Sequence, residues 1–233
     1  KLGLQLNEMQ KATEEAILYT GKDVVVMSPT GSGKTYAYLL PLIQRLNTNS
    51  DDLQAVVLLP GRELALQSAM VLKDMGSGLR AMALYGGRPT MDEHRVLRDV
   101  KPQIVFVTPG RLNDHLDKKN LNAETIKWLV IDEFDARFHS LLTKRIVQLF
   151  NSEENKQTQF IFVTHDTSLL SSSFLRRDQI EFVEKDEAGA SHLYSLAQIN
   201  GIRAQASFEK DYRHGKYGAI PLVEDFSELA ANS

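Results

Sequence analysis

The sequence has no cysteine among its 233 residues. A disulfide framework and a thiolate metal site are both excluded by that absence. It also lacks an excess of charge of either sign, since 27 basic residues face 30 acidic ones for a formal net charge of −3. That balance argues against a domain whose main business is electrostatic capture of a polyanion, and it leaves room for a local basic face. No apolar run approaches the roughly 20 residues that cross a bilayer. The start, Lys1-Leu-Gly-Leu, has neither a methionine nor the pattern of a signal peptide. These absences read as a soluble, cytoplasmic chain with no membrane partner, trimmed at its N-terminus.

What the sequence does contain is a recurring unit of apolar run, polar loop and helical pattern. The runs are Val24–Met27, Ala55–Leu59, Ala81–Tyr85, Ile104–Val107, Trp128–Ile131 and Phe160–Val163. They are β-branched, aromatic and nearly continuous in hydrophobicity, as strands buried on both faces must be. Helical patterns at Thr35–Leu46, Arg62–Met75 and Leu141–Phe150 lie between them. The alternation predicts an α/β fold, a doubly wound and mainly parallel sheet with helices on both faces. Ile180–Glu184 and His192–Leu196 flank Asp186-Glu-Ala-Gly189 and predict a small C-terminal hairpin extension. The tail from Asn200 has weak periodicity, Tyr217-Gly-Ala-Ile-Pro221 should break regular structure, and Phe226–Ala231 suits a short terminal helix. We read 1–233 as a single domain.

Ser28-Pro-Thr-Gly-Ser-Gly-Lys-Thr35 follows the first strand and opens the first helix. That context makes it a phosphate loop, the Walker A element of a P-loop NTPase. Gly31 and Gly33 let the backbone curl so that N–H groups around Thr30 and Ser32 point at phosphate oxygens. Lys34 is placed to reach the β- and γ-phosphates, and the Thr35 hydroxyl to ligate Mg²⁺. The Walker B partner is Trp128-Leu-Val-Ile-Asp-Glu133, an apolar strand ending in two carboxylates at the edge where α/β ligands bind. Asp132 is expected in the Mg²⁺ shell, and Glu133 as the group that orients or deprotonates the attacking water. The expected ligand is ATP with Mg²⁺.

From its start to about residue 131 the chain resembles the first RecA-like domain of a DEAD-box RNA helicase. Leu6-Asn-Glu-Met-Gln10 is similar to the end of that family's adenine-reading motif, with Gln10 in the glutamine position. Pro60-Gly-Arg-Glu-Leu-Ala65 is similar to the family's Pro-Thr-Arg-Glu-Leu-Ala, with Gly61 in place of threonine. Tyr85-Gly-Gly87 and Thr108-Pro-Gly-Arg111 resemble the two remaining RNA-side motifs. The resemblance implies contacts to single-stranded RNA through Arg62, Gly87, Thr108 and Arg111, the arginines forking onto phosphates. The bland alternative has Arg62 and Glu63 capping one helix, and Thr108 capping the next with Pro109 at its first position.

Beyond that point the pattern changes. The family's Asp-Glu-Ala-Asp is Asp132-Glu-Phe-Asp135 here, and Phe160–Val163 is followed by Thr164-His165-Asp166 where Ser-Ala-Thr is expected. The family's second RecA-like domain, with its arginine finger, does not follow within these residues. Residues 132–233 instead resemble the C-terminal half of an ABC-type ATPase, of the AAA-like kind found in bacterial defence and overcoming-lysogenization proteins. Phe162-Val-Thr-His-Asp-Thr-Ser-Leu-Leu170 is similar to that family's switch-histidine segment, which implies a γ-phosphate contact for His165. Asp135–His139 is similar to its dimer-facing loop, which implies a homodimer, and Arg176-Arg177 reads as a solvated pair. The sequence alone thus reads as a recombined, engineered chimera that binds ATP and Mg²⁺, hydrolyses it weakly and does not unwind RNA by itself. An RNA-stimulated ATPase half of a helicase and an ABC-like ATPase dimer are the alternatives.

Overall fold

Alternate residues of each central strand face opposite sides, and both sides are apolar. In the computed structural model Ala55, Val57, Ile104, Phe106, Val130, Ile161 and Val163 enter one core layer, while Val56, Leu58, Val105, Val107, Ile131, Phe160 and Phe162 enter the other. A strand sealed on both faces has to be continuously hydrophobic, which is why these runs do not alternate with polar residues. The structure describes residues 14, 17–19, 24–27, 34–132, 158–164, 167–173, 175–185, 191–202 and 207–218.

The strands are β1 (Val24–Met27), β2 (Ala55–Leu58), β3 (Ala81–Leu84), β4 (Ile104–Val107), β5 (Trp128–Asp132), β6 (Gln159–Thr164), β7 (Ile180–Lys185) and β8 (Ser191–Ser195). They form one sheet in the order β3-β4-β2-β5-β6-β1-β7-β8. Every pairing is parallel except that of β7 with β8. Among the described residues, the helices described at both ends are α1 (Lys34–Arg45), α2 (Arg62–Asp74), α3 (Thr90–Val100), α4 (Pro109–Asp117) and α5 (Phe208–Arg213). Tyr38, Leu39 and Leu42 of α1 and Ala65 and Leu72 of α2 share the first core layer. Leu97 of α3, Leu112 of α4 and Phe208 of α5 pack in the second. Helices therefore cover both faces, and the sheet is doubly wound as the alternation predicted.

The hairpin of β7 and β8 is part of this sheet, with β7 running parallel to β1 through Val25–Ile180, Val26–Glu181 and Met27–Phe182. It continues the sheet beside the strand that feeds the phosphate loop. Phe182 stacks on Tyr212 of α5 with ring centres 5.4 Å apart, and Tyr194 of β8 donates to the carbonyl of Tyr217 at 2.5 Å. The described part of the tail, 207–218, unreadable by periodicity, is anchored by these rings and by Phe208. Arg177 also departs from the sequence reading: it is half-buried and donates to the carbonyls of Leu196 and Ile199, tying the hairpin's exit to its entrance. Arg176 is exposed and pairs with Asp178. The helices expected at Leu141–Phe150 and Phe226–Ala231 lie outside the described residues. Among the described residues, no helix is long and apolar enough to cross a membrane.

Candidate functional site

Every parallel strand points its carboxyl end at the same edge, so the last residues of β1, β2, β3, β4, β5 and β6 gather there. The register fixes who meets whom. Asp132 at the end of β5 lies beside Val163, and Thr164 at the end of β6 lies beside Met27, the last residue before the phosphate loop. One strand therefore separates the acidic strand from the phosphate-loop strand, a gap of about 10 Å at ordinary sheet spacing.

Lys34 and Thr35 open α1, half-buried at its N-terminus. Asp132 is 8% exposed, and its Oδ2 accepts a 3.2 Å hydrogen bond from the hydroxyl of Tyr38. Tyr38 is 1% exposed. Burial raises its phenol well above the ordinary value, and the charge of Asp132 raises it further. Side-chain hydrogen bonds with Ser68 and Thr35 oppose that shift. Tyr38 thus stays a proton donor, and it links the phosphate-loop helix to the acidic strand. Sequence reading missed it, although Lys34, Thr35 and Tyr38 fall on one helical face by the i, i+3, i+4 rule. The hydroxyl of Thr35 and the carboxylate of Asp132 are hard oxygen donors of the kind Mg²⁺ takes. Among the described residues no cluster of three or more histidine or carboxylate side chains could hold a metal by itself. A metal here would complete its shell with phosphate and water. Gln10, Thr30, Gly31, Ser32, Gly33, Glu133 and His165 lie outside the described residues, as do Asp135 and His139.

The RNA-side candidates share the same edge but differ from one another in setting. Arg62 is exposed at the first turn of α2, with its guanidinium 4.8 Å from the centre of the Tyr85 ring. The N-cap of α2 is Gly61, which offers no side chain to the first turn. Gly87 is exposed with φ of +95°, a backbone conformation that explains the glycine. Thr108 is the N-cap of α4 with Pro109 at its first position and makes no side-chain cap hydrogen bond.

Arg111, expected from the sequence to fork onto a phosphate, is instead 5% exposed and engaged within the protein. It donates to the carbonyls of Tyr85 and Arg88 at 3.1 and 2.6 Å and to the Thr90 hydroxyl at 2.7 Å. Its charge faces Glu93 at 3.3 Å. Glu93 also meets Nε2 of the fully buried His115 at 2.9 Å, and Asn120 is 3.1 Å from His115 Nδ1. With the Asn120 amide donating to Nδ1, the proton sits on Nε2 and donates to Glu93. Arg111 therefore clamps the backbone of the glycine loop from below, and Glu93 and His115 hold Arg111. Neither Glu93 nor His115 was flagged by sequence, because a helical Glu and His separated by 22 residues carry no local pattern.

Comparison with known proteins agrees with this architecture. The DEAD/DEAH box helicase family model matches residues 7–167, continuing past Asp132. The ATP-dependent RNA helicase DeaD of Buchnera aphidicola is 46% identical over 122 residues, 51% of this chain and 20% of that protein. The ATP-dependent rRNA helicase RRP3 of Yarrowia lipolytica is 30% identical over 246 aligned positions, 90% of this chain and 50% of that protein. The crystal structure of a DEAD box protein from Methanococcus jannaschii superposes with a TM-score of 0.60 at 26% identity, covering 76% of this chain and 48% of that one. Mss116p bound to single-stranded RNA and AMP-PNP superposes with a TM-score of 0.57 at 27% identity, covering 68% and 35%. The chain spans between a fifth and a half of the length of these two curated relatives. With its RecA-like sheet, its acidic strand and its glycine loop in the family's order, the chain belongs to the DEAD/DEAH box helicase family.

Proposed function

We propose that this chain is an ATP- and Mg²⁺-binding, RNA-stimulated ATPase domain of the DEAD-box type. The observation that carries the reading is the bond from Tyr38 to Asp132, which ties the helix opened by Lys34 and Thr35 to the acidic strand at the edge that also presents Arg62, Gly87 and Thr108. In this reading Gln10 reads the base, Thr30–Thr35 wrap the phosphates, and Lys34 neutralises the terminal charge. Thr35 and Asp132 hold Mg²⁺, which screens phosphate charge when bound. Glu133 orients the attacking water. RNA lies along the exposed backbone and cations of the α2 and α4 N-termini. Turnover is weak for the chain alone and unwinding calls for a partner RecA-like domain, because rapid phosphoryl transfer needs a charge-stabilising group delivered from outside this site.

Titration with a fluorescent ATP analogue and Mg²⁺, on the parent and on Lys34→Ala, tests the nucleotide site. Binding lost in the variant is expected, and equal binding by both proteins sinks the assignment. ATP turnover measured with and without single-stranded RNA tests the rest, a rise with RNA being the expected result.

A second reading is favoured by one feature of the sequence, the run Thr164-His165-Asp166 in place of Ser-Ala-Thr. In it, residues 132–233 are the ABC-like half of an engineered chimera, His165 contacts the γ-phosphate, and ATP drives a homodimer. Dimerisation that appears with ATP and vanishes in His165→Ala supports it. An ATP-independent monomer in light scattering counts against it.

A further inference from the structure

Ser68 stands in the middle of α2 on its buried face, one turn after Ala65 and one before Leu72, and is 5% exposed. Those two neighbours enter the first core layer with Tyr38, Leu39 and Leu42 of α1. A hydroxyl buried among such side chains destabilises a fold unless it is hydrogen-bonded. The partner of Ser68 is the hydroxyl of Tyr38, which also bonds Thr35 and Asp132. Three elements, α1, α2 and β5, thus meet at one phenolic oxygen.

Counting protons fixes the direction of each bond. Tyr38 has a single hydroxyl proton and two lone pairs. An ionised Asp132 can only accept, so that proton goes to its Oδ2 at 3.2 Å. Ser68 and Thr35 must therefore donate into the Tyr38 oxygen. Their influence on the phenol agrees: Ser68 and Thr35 favour its ionised form and Asp132 disfavours it, the signs of two donors and one acceptor. A threonine hydroxyl that ligates a cation does so through its oxygen and must turn its proton elsewhere; here Tyr38 receives it. Asp132 is oriented by the proton that Tyr38 gives. Ser68 takes the remaining lone pair, so the phenol cannot turn without breaking a bond to the neighbouring helix.

We infer that Ser68 is a positioning residue for the Mg²⁺ ligands Thr35 and Asp132, acting through Tyr38 and touching neither metal nor nucleotide. This rests on the nucleotide-site reading above and adds a residue that neither the phosphate loop nor the acidic strand contains. It also makes the geometry of the metal site depend on the seating of α2 against α1.

The test is binding of a fluorescent ATP analogue, titrated at several Mg²⁺ concentrations and again in EDTA. Proteins compared are the parent, Ser68→Ala, Ser68→Thr, Ser68→Val, Tyr38→Phe and Tyr38→Phe/Ser68→Ala. Loss of one orienting hydrogen bond in Ser68→Ala should raise the half-saturating Mg²⁺ concentration about two- to fivefold. Its affinity in EDTA should match that of the parent, whereas damage to packing alone would weaken binding equally with and without the metal. Threonine and valine have nearly the same shape, so the hydroxyl is isolated by comparing them whatever the added methyl does to the core. Ser68→Thr should lie nearer the parent than Ser68→Val. In the Tyr38→Phe background Ser68→Ala should add nothing further, since the oxygen through which Ser68 acts is gone. If the parent binds with Mg²⁺ and Ser68→Ala matches it, or Thr and Val behave alike, or the Ser68 effect persists beside Tyr38→Phe, the positioning role is refuted while the nucleotide-site reading stands. If the parent does not bind the analogue, or binds no better with Mg²⁺ than in EDTA, both are refuted.

Discussion

The hydroxyl of Tyr38 donates to Oδ2 of Asp132 at 3.2 Å, so the helix after the phosphate loop and the strand carrying the acidic pair are held in fixed relation. Burial raises the phenol well above its ordinary value, with the Asp132 charge adding to the effect, so the donor persists into alkaline solution. Tyr38→Phe keeps the ring and its packing but removes the orienting bond. The expected outcome is a rise of about three- to tenfold in the Mg²⁺ concentration that half-saturates binding of a fluorescent ATP analogue, on the order of 1 kcal/mol. A Mg²⁺ titration identical to that of the parent would show that Asp132 needs no such support.

Much of this architecture was legible because the strands bury both faces. Val24–Met27 and Ile104–Val107 were found to the residue, since a parallel strand between two helix layers leaves no polar position to blur its ends. Helix α4 was foreshadowed by Pro109, since a proline at the first helical position is a local signal. Strand order was not legible, because it is set by long-range pairing such as that of β1 with β6 and β7. The membership of Tyr38 in the site, the burial of Arg111 and its support by Glu93 and His115 were invisible for the same reason. Each joins residues far apart in sequence. The hairpin was visible, yet its edge-to-edge union with β1 was not, since nothing in Ile180–Lys185 names its parallel partner.

Glu181 sits on β7 beside Val26 and is 8% exposed. Burial pushes its carboxyl up from 4.5 to about 7, partly opposed by a bond from Ser195 and reinforced by the nearby charge of Asp178. A carboxyl raised on folding holds its proton in the native state after the unfolded chain has released it. Stability therefore falls as pH rises from 4.5 towards about 7 and levels off above that, the total reaching at most about 3 kcal/mol. Glu181→Gln cannot titrate, so the difference in unfolding free energy between variant and parent should grow across this window. Urea denaturation at pH 5 and pH 8 measures it. A difference that is the same at both values contradicts the assignment.

Gly61 occupies the N-cap of α2 at φ −151° and ψ 161°, extended backbone open to any residue, and a Cβ there would meet nothing within 4 Å. A threonine in its place can accept from the exposed N–H groups of the first turn and also lowers the entropy of the unfolded chain. Gly61→Thr should stabilise the protein by about 0.5–1 kcal/mol, seen as a higher denaturation midpoint with an unchanged slope. A loss of stability would mean that the loop before Arg62 needs the freedom of glycine.

Arg111 makes its three shortest bonds to acceptors in different directions: the Tyr85 carbonyl, the Arg88 carbonyl and the Thr90 hydroxyl. It also faces Glu93, 6% exposed at the side chain, at 3.3 Å. Truncation to alanine strands both carbonyls and leaves Glu93 with His115 as its remaining close partner. Arg111→Ala should cost about 3–5 kcal/mol, the range for breaking a buried pair by removing one member. Lysine restores charge but offers one ammonium where three donors are needed in a fork, so Arg111→Lys should recover less than half of the loss. Arg111→Ala/Glu93→Gln removes the stranded charge and should be more stable than Arg111→Ala alone, since the deficit lies largely in an uncompensated carboxylate. Chemical denaturation of the three variants measures this order. A lysine variant as stable as the parent would show that charge alone, not the fork geometry, holds the glycine loop in place.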